Sequence, residues 1–541
     1  MIRAITSAIE SVDGVVLLDV DPGASTNRTV VTFVGSPEAV VEGAVRAGIV
    51  AAERIDMRHH RGEHPRFGAM DVCPFVPITG ITMDQVVELA REAGRRLGDA
   101  GITVYLYENA ASAPHRSNLA EVRAGEYEGL ADKLVDPAWQ PDFGPAELNQ
   151  RSGATAVGAR QFLIAYNVNL NTTSTRRANA VAFDVRQRGR IARTGDPLTG
   201  EIIRDGDGES RWEPGMLKAV KAIGWYIDEY RQAQVSMNLT DLSVTPIHVA
   251  FDAVRERATA RGMRVTGSEI VGLVPLQAML EAGRHYLTRQ GRSLGIPDDE
   301  IVDIAAKSMG LDDLTPFVPA ERIIEWRMAH QGGRLVARSV TQFTHETASE
   351  SPAPGGGSVA ALAGALGAAL GTMVANLSAH KRGWDDRWEE FSDWAVRGKD
   401  LQARLLALVD ADTDSFGVLM EAYRMPSGSG AEAAEREAAV QAATRGAIDV
   451  PIAVMEASLE AMEVLAAMVE QGLESSVSDA GVGALMIRAA VRGARLNVQI
   501  NAAGLTDESE RAAYLQRAAE LADTTTERET VILEKVRQRI M

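Results

Sequence analysis

The chain has 541 residues, a formal charge of -18 and a pI near 5.1. That length exceeds one hydrophobic core and points to about three or four domains or subdomains. The acidic balance argues against a nucleic-acid binder, which needs a basic face to displace counterions, although a local basic pocket can still take an anionic substrate.

The opening stretch "MIRAITSAIES" reads as an amphipathic helix with no capping residue and no strand before it. It has too little continuous apolar sequence for a secretory signal. "GVVLLDVD" and "NRTVVTFVG" are β-rich and flank the turn "PGAST". The apolar spacing of "PEAVVEGAVRAGIVAAERI" predicts a helix, then a histidine-rich loop, a helix at "TMDQVVELAREAGRRLGDA" and a strand at "ITVYLYE". This order suggests a sheet with helices packed on one face. A second α/β unit begins near "GARQFLIAYNVNLNT" and includes a helix at "TRRANAVAFDVRQ" and a polar hairpin or loop at "TGDPLTGEIIRDGDGESR". "QGGR" is read as a linker. From Ser339 onward β-rich runs disappear and periodic Ala/Leu/Val/Glu/Arg segments predict a helical bundle. The apolar run "SVAALAGALGAALGTMVANL" is rich in Ala and Gly, which fits close helix contact better than a lipid span, so no membrane partner is expected.

Several segments could carry chemistry. "HHRGEHPRFGAMDVCPFVP" holds three of the nine histidines and the single cysteine. One cysteine excludes an intramolecular disulfide and fits a reducing cytoplasm, and Cys73 reads as a small packing residue. His60 and His64 would share one face of a helix, as metal ligands do, but Gly62 and Pro65 oppose a helix there. A polar turn and a general base both remain open for this window, with Arg66 available to a carboxylate and Asp71 or Asp21 to orient an imidazole. Asp19 and Asp21 end a strand and could line a site or cap a turn. "SPAPGGGSVAALAG" lacks the Lys-Ser/Thr pair of a nucleotide loop, although its glycines could bind an anion or simply permit a tight helix entry. "VDADTDSFGVLMEA" mimics a calcium loop without the turn glycine, inside what reads as one continuous helix. There Asp410 and Asp414 share a face and Asp412 points elsewhere. A carboxylate turned into the bundle would be a proton-transfer candidate with a raised pKa.

Together these stretches resemble known families. "LLDVDPGASTNRTVVTFVG", "IDMRHHRGEHPRFGAMDVCPFVP", "AGEYEGL", "PDFGP", "AIGWYIDEY" and "SEIVGLVPL" are similar to the formiminotransferase family. "APGGGSVAALAGALGAALGTMV" and "LVDADTDSF" are similar to the formiminotetrahydrofolate cyclodeaminase family, and their order matches the family in which the two are fused. The resemblance implies two α+β ferredoxin-like subdomains, residues 1–160 and 161–335, with a folate tunnel between them. An all-α helical bundle domain would follow over 336–541.

It also implies transfer of a formimino group between N-formimidoyl-glutamate and N5 of tetrahydrofolate, then ring closure to 5,10-methenyltetrahydrofolate with loss of ammonia. Tetrahydrofolate, in free or polyglutamylated form, would be the co-substrate, with no metal and with a homo-oligomeric cytoplasmic enzyme. His64 of "GEHPR" would correspond to the general base and Asp21 to its support. "GPAELNQRSG" would contact folate, with Gly144, Pro145, Arg151, Ser152 and Gly153 as its candidate residues, and Asp412 would serve the cyclodeaminase. The "PGGGS" turn receives no role from the resemblance. Family members normally open with a "PNFSEG" strand, which this sequence lacks, so the expectation is either a true start that lies upstream or a sheet short of a strand with impaired transfer. The alternatives are a chain active only in its helical domain, as cyclodeaminase or methenyl-tetrahydrofolate cyclohydrolase, and a non-catalytic folate-binding or assembly protein.

Overall fold

A computed structural model describes residues 1–23, 27–60, 66–195, 199–329 and 335–541. Its contacts divide the chain into two compact units, Met1–Ala278 with Gly310–Met328 and Met279–Met309 with Ala329–Met541.

The first unit starts with α1 (Ile2–Glu10), which has no side-chain cap, and the antiparallel hairpin of β1 (Val15–Gly23) and β2 (Arg28–Gly35). α2 (Pro37–Arg54) starts where Ser36 caps the Ala39 N–H and Pro37 presets the first turn. β3 (Val72–Phe75), α3 (Met83–Asp99) and β4 (Thr103–Glu108) follow, and Thr82 with Gln85 closes a capping box on α3. After the short helices α4 (Leu119–Val122) and α5 (Leu130–Val135) comes β5 (Ala154–Ala159), which pairs in parallel with both β3 and β4. Val104, Leu106, Val157 and Ala159 bury one face of this sheet with Val41, Ala90 and Leu97 of α2 and α3.

The long connection to β5 is held by a buried ion pair. Arg116 Nη1 lies 2.9 Å from Asp142 Oδ2, its Nη2 donates to the Ala138 and Gln140 carbonyls, and Asp142 also accepts the Leu106 N–H at 2.7 Å.

Next come β6 (Ile164–Leu170), α6 (Thr175–Val185), the two-residue strands β7 (Arg190–Ile191) and β8 (Trp212–Glu213), β9 (Val220–Ile227), β10 (Gln232–Leu239), α7 (Ile247–Ala260) and β11 (Val265–Val271). The main sheet is antiparallel in the order β11-β6-β10-β9, the split βαβ arrangement of ferredoxin-like folds. The polar insertion between β7 and β8 extends their ladder through the Arg193–Ile202 and Arg204–Ser210 bridges, as a hairpin should.

α8 (Leu276–Arg289), apart from its first turn, and α9 (Asp298–Met309) group with the second unit, while α10 (Pro319–Arg322) and most of α11 (Ile324–Ala329) group with the first. The rest is helical: α12 (Val340–Thr347), α13 (Gly356–Ala379), α14 (Trp388–Arg424), α15 (Gly430–Gln471), α16 (Val477–Ala502) and α17 (Glu508–Ile540). By length and apolar character α13 could cross a bilayer, yet most of its apolar stretch is buried against other helices. Small residues permit this. A Cβ on Gly367 would lie 2.8 Å from Ile487 and 2.9 Å from the Gly483 carbonyl, so α16 packs a side chain and its backbone directly against α13 at this glycine.

Arg116→Met would leave Asp142 buried without its cation. Breaking a buried pair from one side typically costs about 3–5 kcal/mol. The expected result is a lower urea unfolding midpoint, and an unshifted midpoint would show that the pair does not fix this segment.

Candidate active sites

His64 lies outside the described residues, but its surroundings are placed. His60 Nε2 sits 2.8 Å from the Asn27 carbonyl oxygen, so the histidine loop touches the end of the β1–β2 hairpin. Asp21 stands near that end, opposite Val30 in the register, and is exposed. Asp71 is committed elsewhere: its Oδ1 accepts the Phe67 N–H at 2.8 Å and its Oδ2 pairs with Arg123 at 2.6 Å. Among the described residues Asp21 shows no such bonds, and both carboxylates remain candidates for orienting an imidazole. Arg66 is likewise engaged, donating to the Met57 carbonyl at 2.7 Å and pairing with Glu128. Cys73 packs beside the α2–α3 core, and burial pushes its thiol up to about 12, so it is no nucleophile.

The "GPAELNQRSG" stretch is anchored at the start of β4 and β5. Gly144, at φ +80, lies against the Ile102 carbonyl, and the Pro145 carbonyl accepts the Thr103 hydroxyl at 2.9 Å. At the other end the Met57 N–H donates to the Arg151 carbonyl at 2.9 Å, and Gly153 bridges Gly68. Arg151, Ser152 and Gly153 thus run beside the histidine loop. Ser152 is buried, and among the described residues its hydroxyl has no hydrogen-bond partner.

In the helical unit the three aspartates separate by role. Asp410 Oδ1 accepts the Leu335 N–H at 2.7 Å, Asp414 is exposed, and Asp412 faces the first turn of α13. The helix is unbroken here, which excludes a calcium loop. Asp412 Oδ2 accepts the Ser358 hydroxyl at 2.9 Å, and the Ser358 backbone N–H also bonds this carboxylate. Burial raises the Asp412 carboxyl above its ordinary value, while the two Ser358 bonds favour the charged form and hold it back.

Sequence reasoning left the glycine turn without a role, and the structure shows one. The anion at this helix N-terminus is the protein's own Asp412. A Cβ on Gly357 would fall 2.0 Å from Asp412 Oδ1, so only glycine allows the contact. The run of glycines and a serine before a helix was the available signal. Its partner is 54 residues away and could not be read locally.

Family models match along the chain. Formiminotransferase domain, N-terminal subdomain, covers residues 1–160, Formiminotransferase domain covers 165–329, and Formiminotransferase-cyclodeaminase covers 339–520. The formimidoyltransferase-cyclodeaminase of Gallus gallus is 40% identical over 542 residues, spanning 100% of this chain and 96% of that protein. The chain belongs to the formimidoyltransferase–cyclodeaminase family. A glutamate formimidoyltransferase of Streptococcus pyogenes is 38% identical over 288 residues, 53% of this chain and 88% of its own. A methenyltetrahydrofolate cyclohydrolase of Methylorubrum extorquens is 35% identical over 171 residues, 32% of this chain and 82% of its own. Family membership agrees with the α+β subdomains followed by helices.

Gly357→Ala would drive a methyl group into Asp412. Overpacking of this kind typically costs about 1–3 kcal/mol, whereas Gly356→Ala has room, its nearest neighbour being Asn497 Nδ2 at 3.8 Å. Thermal unfolding should show a drop for the first variant and little change for the second. Equal drops would mean that the Asp412 contact is not what requires the glycine.

Proposed function

We propose that His64, supported by Asp21, serves formimino transfer and that Asp412 serves cyclisation. The chain is a folate-dependent formimidoyltransferase and cyclodeaminase of histidine degradation. In the first step N5 of tetrahydrofolate attacks the formimino carbon of N-formimidoyl-glutamate, and the bond from that carbon to the glutamate nitrogen breaks. His64 takes the proton that N5 loses and returns it to the departing glutamate nitrogen. The approach of His60 to Asn27, which brings this loop to the strand end bearing Asp21, supports the pairing. The 144–153 stretch, whose end at Arg151–Gly153 runs beside the same loop, would bind folate.

In the second step N10 attacks the same carbon and ammonia leaves. Asp412 accepts the N10 proton and passes one to the departing nitrogen. The observation that carries this reading is a half-buried carboxylate with a raised pKa, bonded among the described residues by the neutral donors of Ser358. Neither step, as written, passes through a metal ion. The likeness of the helical unit to a cyclohydrolase supports hydrolysis of the methenyl product as a second reading for that unit. An exposed apolar row on α13, Val359, Leu366, Met373 and Leu377, with Val482 and Leu485 of α16, supports homo-oligomer formation. A reducing cytoplasmic setting fits a chain with one cysteine.

General acid–base groups typically contribute about 10²–10⁴ in rate. His64→Ala should lose transfer by that order and spare cyclisation of preformed formimino-folate, and Asp412→Asn should do the reverse, both followed by methenyl-folate absorbance. Slowing of both reactions by either variant would refute the division of labour. Ser358→Ala removes a bond to the charged carboxylate and so raises the Asp412 pKa further. The acid limb of the cyclisation pH profile should then move to higher pH, and movement downward would rule out Asp412 as the base.

A further inference from the structure

The ferredoxin-like sheet of the first unit has a helix-covered face and a polar one. Tyr166, Val168, Val235 and Met237 are buried on the face that carries Gly224, against which α6 packs closely enough to place a Cβ there 2.2 Å from the Asn179 backbone nitrogen. Strand alternation puts Asn167, Asn169, Gln234 and Glu269 on the opposite face. The Asn167 and Gln234 amides donate to Glu269 Oε1 at 2.9 and 2.8 Å, and the Tyr230 hydroxyl donates to Oε2 at 3.2 Å. Trp225 Nε1 in turn donates to Gln234 Oε1 at 2.9 Å.

All three donors to Glu269 are neutral, and among the described residues it forms no ion pair. A carboxylate offers about four acceptor sites, so one remains on Oε2. Asn169, in register between Gln234 and Gly267, is fully buried, and among the described residues neither its side-chain oxygen nor its nitrogen is bonded. An unsatisfied buried amide costs about 1–3 kcal/mol, so this face is kept polar against the demands of packing. It also looks toward the first sheet. Lys221, which shares the face with Trp225, acts electrostatically on Glu108 at the end of β4, where partial burial raises the carboxyl and Arg160 and Lys221 oppose the rise.

We propose that Glu269 receives the cationic formimino end of the transferase substrate, pairing its uncompensated charge and remaining acceptor site with one N–H of the amidinium. This rests on the transferase reading given above. It makes Glu269 a specificity-determining residue: a neutral formyl group in the same place supplies neither the charge nor the amidinium N–H.

Glu269→Gln keeps size and hydrogen bonding and removes the charge. In the full chain, calorimetric titration should show N-formimidoyl-glutamate binding weakened about 10-fold or more, as expected for a charged hydrogen bond, with binding of neutral N-formyl-glutamate unchanged. Glu269→Asp should recover part of the loss. Equal weakening of both ligands would mark a structural role and overturn the proposal, as would no weakening of either. Binding by the wild type without turnover would sink the transferase reading while leaving Glu269 its role. Turnover with unchanged affinities would do the opposite, and no binding to the wild type would overturn both.

Discussion

Asp412 can meet the first turn of α13 because position 357 has no side chain, and much of the helical unit depends on the same economy of bulk. α13 is built from Gly, Ala and a few larger residues. Its axis therefore comes close to α14 on one side and α16 on another. That closeness places a carboxylate of α14 against the free N–H groups at the start of α13. The helix N-terminus favours the charged form and burial opposes it. The outcome is a carboxyl group whose pKa burial raises while its Ser358 contacts oppose the rise.

The two units treat carboxylates in a way that separates structure from chemistry. Asp142 and Asp71 are each neutralised by an arginine, Arg116 and Arg123, and each also takes a backbone N–H. These ion-paired groups hold the connection between β4 and β5 and the loop before β3. Asp412 and Glu269 are bonded by serine, amide and phenol donors instead. Neutral donors fix position without cancelling charge. A cation beside either carboxylate would improve packing electrostatics and cancel that charge.

The architectural difference matters as well. In the sheet unit, strand alternation allows one face to be apolar against α6 while the other stays polar, so a polar face comes directly from register. The bundle has no such two-sided element. Its polar group enters where a helix begins, because only there are backbone donors unspent.

The sequence determined the helices through apolar periodicity, the hairpin through β-rich runs, and the continuous helix that rules out a calcium loop. It also carried the family motifs. It left the strands of the ferredoxin-like sheet hard to read, since Asn167, Asn169 and Gln234 put polar residues where buried strands are usually apolar. Spacing could not choose among Asp410, Asp412 and Asp414, because the choice depends on which neighbour each meets. Tertiary structure alone decided that Asp410 bonds Leu335, that Asp414 faces water, and that Asp412 bonds Ser358. It also paired Asp71 with Arg123. These are contacts between residues far apart in the chain, and local pattern constrains the conformation of a segment without fixing its partner.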